Sequence, residues 1–290
     1  MANCKGIILA GGTGSRLFPV TIASSKQLLP VYDKPMIYYP LSVLMLAEIR
    51  DILIVINGED LDRFKYLLGD GSQFGISITY AVQTQPRGIP DAFLIGEKFI
   101  GNSRVALILG DNLFYGPDFS SKLIQAKEQT LGANIFSKFV SNPSDFGILE
   151  LDKNNKPISI AEKPKDPKSN FAVTGLYFYD NSVIEISKNL IPSSRGELEI
   201  TDVNNIYLRN NMLDTTLLGR GFAWLDTGSP DSLIDAGLFV QTIEKQQGHK
   251  IACLEEIAYS KKWITDKTLL SQADKLKGTK YSNYLRNLLA

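Results

Sequence analysis

The sequence predicts an α/β protein with a mixed, mostly parallel sheet flanked by helices and a small C-terminal helical appendage. Short apolar runs alternate with segments of helical length through the first 110 residues. Three of these runs end in glycine-rich or polar turns, at residues 11–16, 83–88 and 110–112. Because ligands bind beyond the carboxyl ends of strands in such sheets, we expect these turns to share one pocket.

The first half of the chain alternates strands with helices. The near-continuous apolar run DILIVIN is typical of a strand covered on both faces. Pro40 lies near the start of the first predicted helix, where proline is tolerated. The predicted strands are residues 6–10, 51–57, 76–83 and 105–109, and the predicted helices are residues 36–48, 59–68 and 92–99.

The pattern changes after about Gly132, where strands follow one another with shorter connections. The predicted strands here are residues 134–140, 147–152, 157–162, 172–180 and 221–226, and the predicted helices are residues 182–189, 200–210 and 229–246. From Ile251 the tail is polar and helical only in parts. We therefore expect a core of residues 1–250, in two parts that meet near residue 131, and an appendage of residues 251–290.

Composition argues against several classes of protein. Lys plus Arg equals Asp plus Glu, 31 each, so bulk charge favours neither a nucleic-acid nor a membrane partner. Cys4 and Cys253 are too few for a disulfide framework, and we interpret them as reduced thiols. His249, the one histidine, lies in the polar stretch QQGHK and is expected at the surface. With no signal-peptide core and no membrane-length apolar run, a cytoplasmic protein is expected.

The segment GGTGSR at residues 11–16 is the first candidate for chemistry. A dinucleotide loop needs a third glycine where Leu17 stands, which argues against an NAD-dependent dehydrogenase, and a Walker loop needs Gly-Lys-Ser/Thr. Backbone amides in a glycine loop still form an anion nest, and Arg16 and Lys26 add two cations suited to a polyphosphate. The alternative is a plain glycine turn with solvated cations.

Acidic side chains follow three other predicted strands. Asp111 and Asp226 each stand at a strand end, where carboxylates can hold Mg²⁺ together with substrate phosphates. The alternative is that each caps the next element. Glu162 and Lys163 could bind sugar hydroxyls and a phosphate, although such neighbours are usually a solvated surface pair.

Taken in order, these segments resemble the sugar nucleotidyltransferases. The resemblance rests on GGTGSRLFPVT, SKQLLP, LGDN, FGILE, EKP and GFAWLDTG, and it covers nearly the whole chain. The longer runs DKPMIYYPLS, LLGDGSQFG, SNFAVTGLYFYDNSV and RGELEITD resemble the branch that comprises the glucose-1-phosphate thymidylyltransferases. The resemblance implies a Rossmann-like, GT-A-like nucleotidyltransferase fold. It also implies Mg²⁺-dependent transfer of a thymidylyl group from dTTP to glucose 1-phosphate, the first step of dTDP-rhamnose or other deoxysugar synthesis.

The resemblance also implies roles for particular residues. The glycine loop would wrap the nucleotide phosphates, two glutamines would read the thymine, and two aspartates would hold the metal. The implied nucleotide-binding residues are Gly11, Gly12, Thr13, Gly14, Arg16, Lys26, Gln27, Gln83, Gly88 and Asp111. The implied sugar-binding residues are Gly147, Glu162, Lys163, Val173 and Tyr177. The implied catalytic residues are Arg16, Lys26, Lys163, Asp111 and Asp226, of which Asp111 and Asp226 are the metal ligands.

The resemblance also implies a separate function for each of three parts of the chain. Residues 1–131 would bind the nucleotide, residues 132–250 the sugar, and residues 251–290 would serve oligomerisation and regulation. It further implies a homotetramer and feedback by a dTDP-sugar end product. The reaction needs no protein nucleophile, since the sugar phosphate itself attacks the nucleotide.

Two stretches depart from the family pattern. In TQPRGIPDAF, the residues Arg87, Ile89, Pro90 and Asp91 replace the common pattern PxGLAQAF, and Ser260 stands where relatives often carry Arg. The first departure bears on nucleobase discrimination and the second on feedback. The alternatives that stay open are the same reaction with UTP or another hexose 1-phosphate, and a non-catalytic sugar-nucleotide sensor.

Overall fold

The computed structural model describes residues 3–289 and is built on one nine-stranded mixed sheet with two small two-stranded sheets. The strands within those residues are β1 (Cys4–Ala10), β2 (Pro30–Val31), β3 (Lys34–Pro35), β4 (Asp51–Ile56), β5 (Ser77–Val82), β6 (Arg104–Leu109), β7 (Asn112–Tyr115), β8 (Ala133–Phe139), β9 (Gly147–Leu151), β10 (Pro157–Glu162), β11 (Phe171–Tyr179), β12 (Leu213–Leu218) and β13 (Ala223–Asp226).

Helices cover the sheet and form the tail. They are α1 (Tyr38–Leu46), α2 (Leu61–Leu68), α3 (Asp91–Ile95), α4 (Glu97–Ile100), α5 (Phe119–Glu128), α6 (Val183–Lys188), α7 (Ile200–Arg209), α8 (Pro230–Gln247), α9 (Leu254–Ser260), α10 (Asp266–Lys275) and α11 (Lys280–Asn287). Short 3₁₀ turns occur at Ser15–Leu17, Lys26–Leu28, Gly58–Asp60, Ser72–Phe74 and Pro143–Asp145. No helix in the described part of the chain combines the length and apolar character needed to span a membrane.

The main sheet has the strand order β10-β9-β11-β6-β1-β4-β5, with β8 beside β11 and β12 beside β8. Strands β6, β1, β4 and β5 run parallel, so their carboxyl ends share one edge. Strand β11 is antiparallel to β6, β8 and β9 and joins the two halves. The predicted mixed, mostly parallel α/β fold is confirmed.

Both faces of β1 are buried, as expected for its apolar run GIILA. Ile8 packs in a cluster with α1, α2 and the C-terminal helices, whereas Ile7 packs in a second cluster with α3, α6 and α7. Cys4 and Cys253 are both buried and form no disulfide, and His249 is exposed, as expected. The sheet is thus a rigid platform whose parallel edge carries the predicted turns.

Most predicted elements lie within two residues of the observed ones, but three regions differ. The predicted helix 92–99 is two short helices, α3 and α4, that meet at Gly96, where an added Cβ would approach Ile7 and Leu53 to about 3 Å. The sequence interpretation missed β7, α5 and β12, together with the β2–β3 hairpin. The tail is more regular than expected, because α9, α10 and α11 occupy most of it and bury Leu254, Leu269 and Leu285 in the first cluster.

Candidate active site

The glycine loop leaves the carboxyl end of β1 and turns into one turn of 3₁₀ helix. Gly14 has a φ of 64°, a left-handed conformation that favours glycine. Thr21 holds this turn, since its Oγ1 donates to the Gly14 carbonyl at 2.8 Å. Thr13 and Ser15 are exposed, and a Cβ added to Gly12 would meet nothing within 4 Å. The loop is therefore open on the side that a phosphate would approach.

Arg16 reaches from this loop to the segment that follows β13. A Cβ added to Gly228 would lie 2.9 Å from Arg16 Nη2, so a glycine at 228 is what lets the guanidinium lie so close. The Arg16 side chain remains exposed to solvent. This contact places the Arg16 guanidinium, from the loop after β1, beside the segment that follows β13.

A buried lysine and two carboxylates form the charged centre of the site. Lys26 is 7% exposed, and its Nζ contacts Asp111 Oδ2. Burial, and then the charge of Asp111, raise the pKa of Asp226 to about 6. The positive charges of Lys26, Arg16 and Lys163 oppose this rise in pKa. The four other residues expected to be catalytic thus all lie within electrostatic reach of Asp226.

The register of a small two-stranded sheet explains how carboxylates far apart in sequence meet. Strand β13 pairs antiparallel with β7 and places Asp226 opposite Asn112, next to Asp111. Asn112 Nδ2 donates to Asp111 Oδ1 at 2.9 Å. The cap of α8 is Ser229, whose Oγ accepts from the backbone N of Ser232, so helix capping does not account for Asp226.

The carboxylate pair fits a hard divalent cation. Asp226 Oδ1 is buried and has no hydrogen-bond partner among residues 3–289. That stretch also contains no group of three or more His, Cys, Asp or Glu side chains arranged for a metal. Mg²⁺ is commonly held by one or two carboxylates, with phosphates and water completing its shell. Asp111 and Asp226 could therefore hold it as a pair.

Two buried glutamines lie on the other side of the loop. Gln27 is 4% exposed, and its Oε1 accepts from Ser25 Oγ at 2.7 Å, which leaves its amide NH₂ directed elsewhere. Gln83 is 7% exposed, and its Nε2 donates to Asp91 Oδ2 at 2.8 Å. A Cβ added to Gly11 would lie 2.6 Å from Gln83 Oε1, so the buried Gly11 leaves room for that oxygen.

The segment 193–199 closes the site over Gly88. Gly88 has a φ of 97°, and a Cβ there would approach the Leu198 carbonyl oxygen to 2.1 Å, so a close protein backbone already requires this glycine. Arg195 Nη2 donates to Glu199 Oε1 and Oε2, at 2.9 and 2.8 Å. The sequence interpretation missed Arg195 and Glu197 as site residues, although the charged run RGELEITD that contains them was visible.

The sugar-binding candidates divide between the cleft and the core. Glu162 pairs with Gly147 across β9 and β10, and Thr201 Oγ1 donates to Glu162 Oε2 at 2.6 Å. Val173 and Tyr177 are 9% and 3% exposed in β11. Burial, and then the Glu162 charge, raise the pKa of the Tyr177 hydroxyl. Val173 and Tyr177 therefore lie in the core beneath the cleft, with Tyr177 near Glu162.

The cleft consists of two adjoining cavities of about 370 and 390 Å³. Both are lined by Leu9, Gly12, Arg16, Pro86 and Glu197. The first also includes Thr13, Gly14, Ser15, Lys26, Gln27, Leu109, Asp111 and Gly228. The second also includes Gln83, Gly88, Ile89, Glu162, Lys163, Arg195, Leu198, Glu199 and Ile200. The arrangement offers neighbouring places for a polyphosphate and for a second, hydroxylated substrate.

Comparisons with known proteins agree with this geometry. Residues 5–243 match the model of a family described as nucleotidyl transferase. A glucose-1-phosphate thymidylyltransferase from Neisseria meningitidis is 58% identical over 98% of this chain and 99% of its own length. One from Mycolicibacterium smegmatis is 54% identical, again over 98% of this chain and 99% of its own length.

Solved structures give the same picture. A crystal structure of a protein from Bacillus anthracis, named as a glucose-1-phosphate thymidylyltransferase, superposes with a TM-score of 0.76 at 44% identity. The match covers 81% of this chain and 94% of that one. A UDP-glucose pyrophosphorylase bound to UDP-glucose matches with a TM-score of 0.71 at 25% identity, over 83% of this chain and 99% of that one.

Proposed function

The chain belongs to the nucleotidyl transferase family, and we propose that it transfers a thymidylyl group from dTTP to glucose 1-phosphate. The products are dTDP-glucose and pyrophosphate. The observation that carries the proposal is the 58% identity, over nearly the full length of both chains, with a relative of that name. The open glycine loop, the Lys26–Asp111–Asp226 centre and the two buried glutamines support it.

In the proposed reaction, an oxygen of the sugar phosphate attacks the α-phosphorus of dTTP as the bond to pyrophosphate breaks. Catalysis of this kind depends mainly on positioning and charge stabilisation. Arg16 and Lys26 would offset the charge on the triphosphate and on the leaving pyrophosphate. Lys163 would hold the sugar phosphate, and Glu162, held by Thr201, would accept hydrogen bonds from sugar hydroxyls.

Enzymes of this family generally use a divalent metal, and we infer that here it is Mg²⁺. Asp111 and Asp226 would hold it, and the bound ion would supply positive charge beside the phosphate oxygens. The raised pKa of Asp226, about 6, agrees with a buried carboxylate that lies beside a second carboxylate and whose own Oδ1 has no hydrogen-bond partner among the described residues.

The test is release of pyrophosphate from dTTP and glucose 1-phosphate in the presence of Mg²⁺. Arg16→Ala should lower the rate by about a hundredfold or more, since loss of such a charge-stabilising donor typically costs about 3 kcal/mol. Asp226→Ala should likewise lose most turnover. Arg209→Ala, at an exposed arginine on α7, is the matched control and should keep the rate of the unmodified protein. Full activity in both site variants would overturn the assignment of the site.

UTP is the second candidate nucleotide, because a solved structural neighbour binds UDP-glucose. Uracil differs from thymine by one methyl group, which is worth about 1–3 kcal/mol in an apolar pocket. Comparing kcat/KM for dTTP and UTP, and for glucose 1-phosphate against other hexose 1-phosphates, separates these substrates. Turnover of either nucleotide would exclude a non-catalytic sugar-nucleotide sensor.

We further propose a homotetramer with feedback by a dTDP-sugar end product. Two exposed apolar side chains one turn apart on α8, Ile234 and Leu238 (61% and 56% exposed), support contact between copies. A cavity of about 420 Å³ between the core and the tail, lined in part by Tyr38, Lys250 and Glu255, supports a regulatory site. Light scattering tests the assembly, and inhibition by a dTDP-deoxysugar tests the feedback.

A further inference from the structure

The turn between β5 and α3 contains PRGIPD, the stretch that differs from the family pattern. Side chains in this turn and just before it form hydrogen bonds with one another. Asp91 is 2% exposed at the start of α3. Its Oδ2 accepts from Gln83 Nε2 at 2.8 Å, and its Oδ1 accepts from Arg87 Nε and Nη2 at 3.1 and 2.5 Å. Asp91 lies in the first turn of α3, but α3 has no side-chain cap hydrogen bond. Its buried carboxylate is therefore directed at Gln83 and Arg87.

The chemistry of this contact fixes how the Gln83 amide is turned. An ionised carboxylate only accepts hydrogen bonds, so Gln83 must present its NH₂ group to Asp91. Its Oε1 then faces the opposite side, close to Gly11 at the carboxyl end of β1. Arg87 supplies the positive charge that a buried carboxylate needs, and its Nε and Nη2 both donate to Asp91 Oδ1. With glutamine at position 91, as in the common family pattern, either orientation of Gln83 could be satisfied.

The side-chain amide of Gln27 is held the opposite way round from that of Gln83. Its Oε1 accepts from Ser25 Oγ, so its amide NH₂ group is the part left to meet a ligand. The site therefore presents one amide acceptor, from Gln83, and one amide donor, from Gln27. A pyrimidine with a protonated N3 and a carbonyl at C4 matches this pair, whereas cytosine has an unprotonated N3 and an amino group at C4.

We propose that Asp91, held by Arg87, is a positioning residue that selects bases carrying an N3–H by fixing the orientation of the Gln83 amide. The proposal rests on the proposed function, because it assumes that the base lies between Gln27 and Gln83. Gln83 Oε1 accepts from N3–H of thymine or uracil. With cytosine, the Gln83 oxygen would face the lone pair of N3, and two acceptors would be left opposed in a buried place.

The test compares dTTP with dCTP in the unmodified protein and in Asp91→Asn. The asparagine keeps the size of the side chain but can donate as well as accept, so Gln83 is free to turn its NH₂ group toward the base. The ratio of kcat/KM for dTTP to that for dCTP should fall about tenfold or more, the equivalent of one hydrogen bond's selectivity. Most of the change should lie in KM, and calorimetric binding of the two nucleotides without sugar phosphate should show the same shift. An unchanged ratio in both measurements overturns the proposal.

Arg87→Lys is the matched control, because it loses the paired hydrogen bonds from Nε and Nη2 but keeps a positive charge beside the acceptor-only carboxylate at position 91. It should lower thermal stability while the dTTP to dCTP ratio stays within about threefold. A ratio that shifts as far in Arg87→Lys as in Asp91→Asn would mean that general loosening of the turn sets base choice, and the proposal would be wrong.

These outcomes are distinct from failure of the proposed function. If the unmodified protein releases no pyrophosphate from dTTP or UTP with any hexose 1-phosphate, the proposed function fails and the inference falls with it. If it uses UTP in place of dTTP, the same comparison runs with UTP and CTP, since uracil also carries N3–H. An unchanged ratio in a protein that turns over dTTP overturns only the role of Asp91.

Discussion

Lys163, which we propose holds the sugar phosphate, has a strained backbone conformation. Its φ is 40°, in the left-handed region that only glycine enters easily, and it precedes Pro164, which restricts it further. The backbone N of Lys163 donates to the Phe146 carbonyl at 3.0 Å, which helps to hold this geometry. Strain of this kind often accompanies function. Lys163 lines the second of the two cavities in the cleft, the one that also includes Glu162, and this agrees with the proposed role on the sugar phosphate.

We predict that Lys163→Gly unfolds at a higher denaturant concentration than Lys163→Ala. Both variants lose the ammonium group, but only glycine relieves the left-handed strain, worth about 1 kcal/mol. Both should lose most pyrophosphate release. Urea unfolding followed by circular dichroism measures the difference. Equal stability of the two variants would show that the backbone at position 163 relaxes readily when the lysine is removed.

At the scale of elements, Asn112 joins the two-stranded β7–β13 sheet to the main sheet. This residue is 3% exposed, and its Oδ1 accepts from the Gly175 backbone N at 3.1 Å and from Trp224 Nε1 at 2.7 Å. Gly175 lies where the register of β11 against β8 shifts, between Val173 and Tyr177. One amide therefore ties β7, β11 and β13 together beside Asp111.

We predict that Asn112→Ala lowers the free energy of unfolding by about 3 kcal/mol, because it leaves the buried Gly175 N–H and the partly buried Trp224 N–H without an acceptor. It should also lower kcat, since Asp111 loses a hydrogen bond and the two-stranded sheet that carries Asp226 loosens. Urea unfolding and pyrophosphate release measure the two effects. Asn181→Ala is the control. Asn181 donates to the carbonyls of Gly101 and Ser103 away from the site, so its loss should leave kcat unchanged.

The elements that could be predicted from sequence are those with a strong local pattern. The parallel strands β1, β4 and β6 each end in a run of five apolar residues, and the turn after β1 carries the glycines and the arginine that suggested a phosphate site. Strand β7 could not be recognised, because its four residues follow directly on Asp111 and form no separate apolar run. Its pairing with β13 is a long-range contact, so the meeting of Asp111 with Asp226 followed only from the resemblance. The role of Asp91 was equally hidden, since a carboxylate three residues after a glycine has no local signature.

At the scale of the whole molecule, a buried charge network fastens the tail to the core. Lys34 is 3% exposed and contacts Asp33 and Glu244, at 3.0 Å from its Nζ to Glu244 Oε1. Lys250 contacts the same two carboxylates and lies over the rings of Tyr281 and Tyr284, at 5.1 and 5.7 Å from their centroids. The β2–β3 turn, the end of α8 and helix α11 are thus joined at one point. Breaking a buried network of this kind is strongly destabilising, because it leaves a charge uncompensated.

Beside this network lies a carboxyl group whose ionisation opposes docking of the tail. Glu255 is 4% exposed, and its Oε2 accepts from the Tyr281 hydroxyl at 2.8 Å and faces Cys253 Sγ. Burial raises the pKa of Glu255, while Lys34 acts in the opposite direction. The folded protein therefore binds this proton more tightly than the unfolded chain does. The resulting stability is fully present below the ordinary glutamate pKa of about 4.3 and is lost as the pH rises from there through the raised pKa.

We predict that Glu255→Gln removes part of the pH dependence of stability, because glutamine keeps an acceptor for Tyr281 but carries no charge to desolvate. Between pH 5 and pH 8, the melting temperature of the unmodified protein should fall more than that of the variant, so the variant gains relative stability at the higher pH. Glu256→Gln is the matched control on the same helix. Glu256 is only partly buried and accepts from the Tyr284 hydroxyl at 2.7 Å, so its substitution should leave the pH dependence as it is. Parallel melting curves for the unmodified protein and Glu255→Gln across this range would show that Glu255 does not oppose the docked tail.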